Sequence, residues 1–213
     1  MIIIDVGAAN SNLKKQSGKV YVMFEPDPEA CQELELKHAG DQSVYIFNKG
    51  LWKEKKNVTL YLTKKRECSS LYKPNMTMIK ILKNAFSNKN VDRFEVEKEL
   101  EISVVRMDSI LEQVVENLIS KGHSRDSIFI DRVKIDTQGS EYEILQGMGK
   151  YIDIVKEIEV EVEFVELYHD QKLFEDIDSF LSSKGFQFSH FLRQVLFNGV
   201  TAFGDAVYKR KPS

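Results

Sequence analysis

The chain has 213 residues, 42% hydrophobic and 30% charged, with a formal net charge of −3, which describes a folded globular protein and excludes a disordered or low-complexity one. Its two cysteines, Cys31 and Cys68, are too few for a disulfide framework and match no metal-ligand spacing. The apolar opening Met1–Ile4 is broken by Asp5, and no later run approaches the roughly 20 residues that span a bilayer, so a cytoplasmic protein without a transmembrane segment is expected.

In chain order, Ile2–Val6 reads as a buried strand ending at Gly7, and Val20–Glu25 as a second. Residues 7–19 between them barely reach the dozen or so positions that a parallel crossover needs, so any helix there is short. Asp27 and Pro28 open a helix as N-cap and first helical residue; it passes Cys31 and Leu34 and stops near Gly40. Ser43–Phe47, Val58–Leu62 and Ile102–Val105 are further strands. Ser109 to Glu112 has the form of a capping box, and the stripe Ile110, Leu111, Val114, Val115, Leu118, Ile119 carries a helix to about Lys121. A strand within Ile128–Ile135 ends at Asp136. Ser140 to Glu143 forms a second capping box, with Glu143 as the partner, for a helix ending by Gly147 or Gly149. Ile158–Phe164 is a strand whose alternating Glu159, Glu161 and Glu163 predict one wet face. Leu173 to Leu181 is a helix closed by Gly185, and Phe186–Leu192 with Ala202–Lys209 forms a terminal antiparallel hairpin. Strand and helix in alternation predict an α/β fold with a mostly parallel sheet covered on both faces.

Charge is unevenly placed. Between Lys49 and Arg93 twelve Lys and Arg face only Glu54, Glu67 and Asp92, so the rest of the chain is acidic. Such a segment either meets something anionic or is a solvated loop. Inside it, Met78, Ile79, Leu82, Ala85 and Phe86 make a helical stripe with Lys80 and Lys83 off it. This reads as a lid over a cleft, or as a basic helix lying on a membrane or anionic glycan. Trp52 and the Met76/Met78 pair read as core or lid packing.

The turn Asp5-Val6-Gly7-Ala8-Ala9-Asn10 places small residues where a backbone can approach a ligand closely, and a helix start there offers free N–H groups. The dinucleotide pattern G-x-G-x-x-G is not met. Glu25, at the end of the second strand, stands where a carboxylate can accept both ribose hydroxyls of an adenosine-containing cofactor. His169-Asp170 lacks any partner spacing that would make it a metal site, and no metal is expected.

These residues resemble a known family. Asp5 to Asn10, followed by Phe24-Glu25-Pro26-Asp27-Pro28, is similar to the D-V-G-A-N and F-E-P-x-P elements of FkbM methyltransferases. Ser69-Ser70-Leu71 and Val105 to Asp108 resemble two of its middle elements. Lys134 to Glu141 is similar to K-I-D-x-E-G-x-E, Leu145 to Gly147 continues it, and Gly185-Phe186 and Gly204 to Val207 echo its ending. The resemblance implies a Rossmann-like class I methyltransferase fold, with residues 1–213 as one domain and a basic lid or substrate insertion at about 64–98. It implies S-adenosyl-L-methionine as cofactor, with Asp5, Gly7, Ala8, Ala9 and Asn10 at the amino-acid end, Glu25 and Pro26 at the ribose, Asn48 and Lys49 near the adenine, and Asp136 facing the methyl. Asp136 is the implied general base, with Glu141 and Glu161 as second choices; an acid at Glu141 also suits the helix dipole. Lys64, Lys65, Arg66, Ser69 and Ser70 are the expected substrate contacts. The acceptor would be a hydroxyl of a sugar, glycan or secondary metabolite, anionic or not.

Two alternatives stay open. One is an RNA methyltransferase using the basic 49–93 segment, although the K-D-K-E order of ribose methylation and an aromatic stacking platform are missing. The other is a non-catalytic cofactor binder. Two departures from the family keep it open: Asn12 replaces a glycine, and Gln138 replaces a glutamate and so removes a charge beside Asp136; a third, the short first crossover, bears on the floor of the cofactor pocket.

Overall fold

A computed structural model describes residues 1–11, 15–86 and 90–211, without the Asn10 side chain. The expectation for Asn12 lies outside the described residues.

The strands are β1 (Ile2–Val6), β2 (Val20–Phe24), β3 (Val44–Phe47), β4 (Gly50–Leu51), β5 (Lys56–Thr63), β6 (Val96–Val105), β7 (Ile130–Ile135), β8 (Val155–Glu163), β9 (Phe186–Phe197) and β10 (Val200–Arg210). The α-helices are α1 (Pro28–Lys37), α2 (Met76–Ile81), α3 (Met107–Ser120), α4 (Glu141–Gly147) and α5 (Phe174–Ser183). Seven strands form the main sheet in the order β3-β2-β1-β7-β8-β10-β9. The first five of that order run parallel, and β10 and β9 close the edge antiparallel. A smaller sheet, β4-β6-β5, stands beside it.

Alternation along β1 explains how the sheet is covered. Ile2, Ile4 and Val6 join the large core with residues of α3, α4 and α5, while Ile3 joins Tyr21, Met23 and Leu34 of α1 on the opposite face. Among the described residues the first crossover holds one 3-10 turn, Ala8–Asn10. Asp27 caps α1 by accepting from the Glu29 N–H at 3.1 Å, with Pro28 behind it. Among the described residues no helix is long and apolar enough to cross a membrane.

Several expectations change. β6 begins at Val96, not Ile102, because Glu97, Lys98, Glu99 and Glu101 are exposed and hide the strand from a hydrophobic reading. Ser109 is not a cap: α3 starts at Met107, and Ser109 Oγ donates inside the helix to the Arg106 carbonyl at 2.7 Å. Ser140 precedes α4 without a capping bond and donates instead to Thr137 Oγ1, while Glu143 is buried beside Tyr72. The wet face of β8 does not exist, since Glu159, Glu161 and Glu163 are all buried. β8 lies between β7 and β10, and side chains from other elements cover the carboxylates. Arg132 meets Glu159, and Arg193 and Gln138 meet Glu161.

Residues 64–94 leave β5 and return to β6 as an excursion. The expected helical stripe is shorter than its pattern: α2 ends at Ile81 and continues as a 3-10 turn, Leu82–Asn84. Ile79, Leu82, Phe86 and Phe94 still form their own core with Leu167 and Tyr168. Backbone bonds dock this segment on the 165–171 loop, from the Asn75 N–H to the Leu167 carbonyl at 2.8 Å and from the His169 N–H to the Lys73 carbonyl at 2.9 Å.

Candidate active-site cleft

A cleft of about 610 Å³ opens at the carboxyl ends of β1, β2 and β7, with segment 64–94 forming its other wall, a volume within the ordinary range for small-molecule sites. Its floor begins at Gly7, which has φ +79°. A Cβ there would land on the Asp136 carbonyl, so glycine is required both by conformation and by the close approach of β1 and β7. Ala9 and Glu25 follow on the wall. The Glu25 carboxylate accepts from the Ala9 N–H and the Asp27 N–H, each at 2.9 Å. Burial pushes it up to about 7, against those two bonds.

The other expected cofactor positions separate. Pro26 and Lys49 line the cleft. Asn48 does not; its Nδ2 ties the strand ends together by donating to the Glu25 carbonyl at 2.9 Å and the Pro26 carbonyl at 3.2 Å. Ala8 is buried behind the wall. Asp5 is also buried beneath it, raised by desolvation, and its Oδ1 has no hydrogen-bond partner. For Asn10 only the backbone is described.

Asp136 stands where β7 ends, its N–H donating to the Val6 carbonyl at 3.1 Å. Its Oδ2 is 3.3 Å from Lys134 Nζ, and its Oδ1 accepts from Gln138 Nε2 at 3.1 Å. Glu161 shares the same wall, accepting from Arg193 Nη2 at 3.3 Å and from Gln138 Nε2. Desolvation, then Asp136, Glu163 and Glu141, push Glu161 well above the usual carboxylate range. Glu141 is not on the wall. Its carboxylate is buried behind the 137–139 loop, accepting from the Thr137 N–H at 2.8 Å, Thr137 Oγ1 at 2.9 Å and the Gly139 N–H at 2.9 Å. It anchors that loop, and desolvation raises it too.

Of the expected substrate residues, Arg66, Ser69 and Ser70 line the cleft. Arg66 reaches across to the start of α1, 3.7 Å from Asp27 and 3.8 Å from Glu29. Lys64 and Lys65 are not in the lining; they pair with Glu95 and Glu67, each at 2.5 Å. The far end of the cleft is aromatic, with Phe86 packed on Phe94 at 5.3 Å and on Phe203 at 6.2 Å. His169 is exposed, and among the described residues no cluster of three His, Cys, Asp or Glu could hold a metal.

Arg193 is the residue that sequence reasoning missed. It lies mid-strand in β9 and reaches the cleft because Asp205 of β10 pairs with Arg193 on one side and Glu161 on the other. No local motif marks such a position.

A mostly parallel sheet with its crevice at the strand ends, a glycine turn after β1 and an acid after β2 defines a Rossmann-like ligand-binding protein. The family described as "Methyltransferase FkbM domain" matches residues 5–188, and the chain belongs to the FkbM methyltransferase family. A solved FkbM methyltransferase from Methylobacillus flagellatus KT is 13% identical with a TM-score of 0.52, over 97% of this chain and 42% of that one. The chain thus spans less than half of that relative. Magnesium protoporphyrin IX methyltransferase (ChlM) from Synechocystis PCC 6803, solved with bound SAM, is 10% identical with a TM-score of 0.46, over 98% of this chain and 69% of that one. No curated protein matches the chain by sequence.

Proposed function

We propose that this chain is an S-adenosyl-L-methionine-dependent O-methyltransferase that modifies a hydroxyl of a sugar, glycan or other small acceptor. The reading takes residues 1–213 as one domain, with the segment at about 64–98 as its lid and substrate insertion. The observation that carries it is the placement of Asp136 and Glu161 on the wall of the cleft that Glu25 lines near α1.

The donor set suits the cofactor. Each Glu25 oxygen already holds one backbone N–H and keeps a lone pair for a ribose hydroxyl. The unpartnered Asp5 Oδ1 lies beneath the turn assigned to the amino-acid end. Gly7 and Ala9 would hold that end, Glu25 the ribose, and Lys49 would lie toward the adenine. Bound there, S-adenosylmethionine supplies a methyl group on a sulfonium, which needs no further activation. The chain must then align the acceptor and take its proton. Asp136 takes that proton onto a carboxylate oxygen, and Lys134 Nζ, 3.3 Å from its Oδ2, holds the side chain in place. Segment 64–94 excludes water from the cleft. A cytoplasmic setting accords with this reading, since Cys31 and Cys68 are both buried free thiols.

The test is methyl transfer from radiolabelled cofactor to sugar, lipid-glycan and RNA fractions. Label on a hydroxyl of the sugar or glycan fraction is expected. Label in RNA overturns the acceptor class, and cofactor binding without label in any fraction leaves a binder rather than an enzyme.

A further inference from the structure

Two carboxylates on one cleft wall repel each other unless a donor lies between them. Here the donor is the side-chain amide of Gln138. Its Nε2 donates to Asp136 Oδ1 at 3.1 Å and to Glu161 Oε2, while its Oε1 accepts from the Tyr168 hydroxyl at 2.8 Å. The amide is oriented with its nitrogen toward the carboxylates, because the flipped form would set its oxygen against both of them. Tyr168 is fully buried, and burial holds its phenol well above the usual range, so it remains a donor.

The backbone of Gln138 is held as firmly. Ser70 Oγ, from segment 64–94, donates to the Gln138 carbonyl at 2.6 Å, and the Tyr168 hydroxyl also lies 3.1 Å from the Cys68 carbonyl. Gln138 has φ +60°, a left-handed conformation that a non-glycine residue keeps only where its surroundings impose it.

We propose that Gln138 is the positioning residue of the reaction centre: its amide holds Asp136 and Glu161 side by side and ties their placement, through Ser70 and Tyr168, to the seating of segment 64–94. Its purpose rests on the methyltransferase reading, whereas its geometry does not. With Gln138 on Oδ1 and Lys134 on Oδ2, Asp136 is restrained at both oxygens. Glu161 faces Asp136 of the β7 end, Glu141 of α4, Glu163 of its own strand and Asp205 of β10, with Arg193 of β9 as its cation. Among these carboxylates the Gln138 amide is a neutral donor. A glutamate at this position would instead add another like charge.

The test is a carbon-13 carboxyl NMR titration of the whole chain as wild type, Q138M and Y168F. Met keeps the length of Gln without a donor, and Phe removes only the hydroxyl that orients the amide. In Q138M the titration of Glu161 should move up by about one pH unit or more, a tenfold change in proton affinity. Y168F should move it in the same direction by less. If Q138M does not fold, Y168F decides alone. Glu161 titrating as in wild type in each folded variant overturns the proposal. Calorimetry with S-adenosylmethionine on the wild-type chain tests the methyltransferase reading separately, because the titration needs neither cofactor nor acceptor.

Discussion

Glu25→Gln isolates the charge at the ribose end. Truncation to Ala would also orphan the Ala9 and Asp27 N–H groups, each costing about 1–3 kcal/mol when buried without a partner. Gln keeps one of those bonds and sets its NH2 against the other donor. Raising the carboxyl from 4.5 to about 7 makes its ionised form about 3 kcal/mol costlier in the folded than in the unfolded chain. The stability it contributes is therefore fully present below 4.5 and lost as pH rises through about 7. Above that value, losing the charge offsets the mismatched N–H, and the variant should melt near wild type. Cofactor binding has the opposite slope, because ribose hydroxyls need the ionised acceptor. Wild-type affinity for S-adenosylhomocysteine should therefore fall as pH drops through about 7. In the variant it should be weaker by about 1.5–3 kcal/mol above that pH, roughly 10- to 150-fold, with a flat profile. Titration calorimetry at several pH values measures both. Wild-type affinity and an unchanged pH profile in the variant would remove Glu25 from the ribose.

Asp136→Asn should lower kcat by roughly 10²–10⁴ while leaving cofactor affinity and Tm near wild type, as steady-state kinetics and thermal melts will show; normal turnover would move the base to Glu161. Gly7→Ala forces a Cβ onto the Asp136 carbonyl at φ +79°, so it should cost more than the ~1–2 kcal/mol of a left-handed non-glycine residue alone, measured by urea denaturation. Glu141→Gln should lower Tm and kcat together, because it exchanges one acceptor of the Thr137 and Gly139 groups for a donor; a loss confined to Tm would make it purely structural. Neutralising Lys64 and Lys65 together should leave cofactor affinity and acceptor KM unchanged, since neither lysine lines the cleft, whereas Arg66→Gln should weaken cofactor binding or raise acceptor KM.

What the sequence determined by itself is local. The apolar run of β1, the Gly7 turn, the Asp27 cap with Pro28 behind it, and the apolar stripe of α3 each state their structure within a few neighbouring residues. Motif order along the chain was also legible, because turns and strand ends that meet a ligand restrict residue type wherever they fall. The tertiary structure decided the rest. Alternation along β8 reports that every second residue is acidic, but burial of Glu159, Glu161 and Glu163 depends on Arg132, Arg193 and Gln138 arriving from other elements. Glu141 looks like a helix-dipole acid in sequence and becomes a loop anchor once the backbone of Thr137 and Gly139 folds onto it. Lys64, Lys65 and Arg66 are neighbours of one chemistry, yet only Arg66 lines the cleft, since the 3-10 turn that begins there changes the direction of the chain. A carboxylate tolerates burial only when donors from elsewhere satisfy it, and such partners are set by strand register and loop packing, which no short stretch of residues encodes.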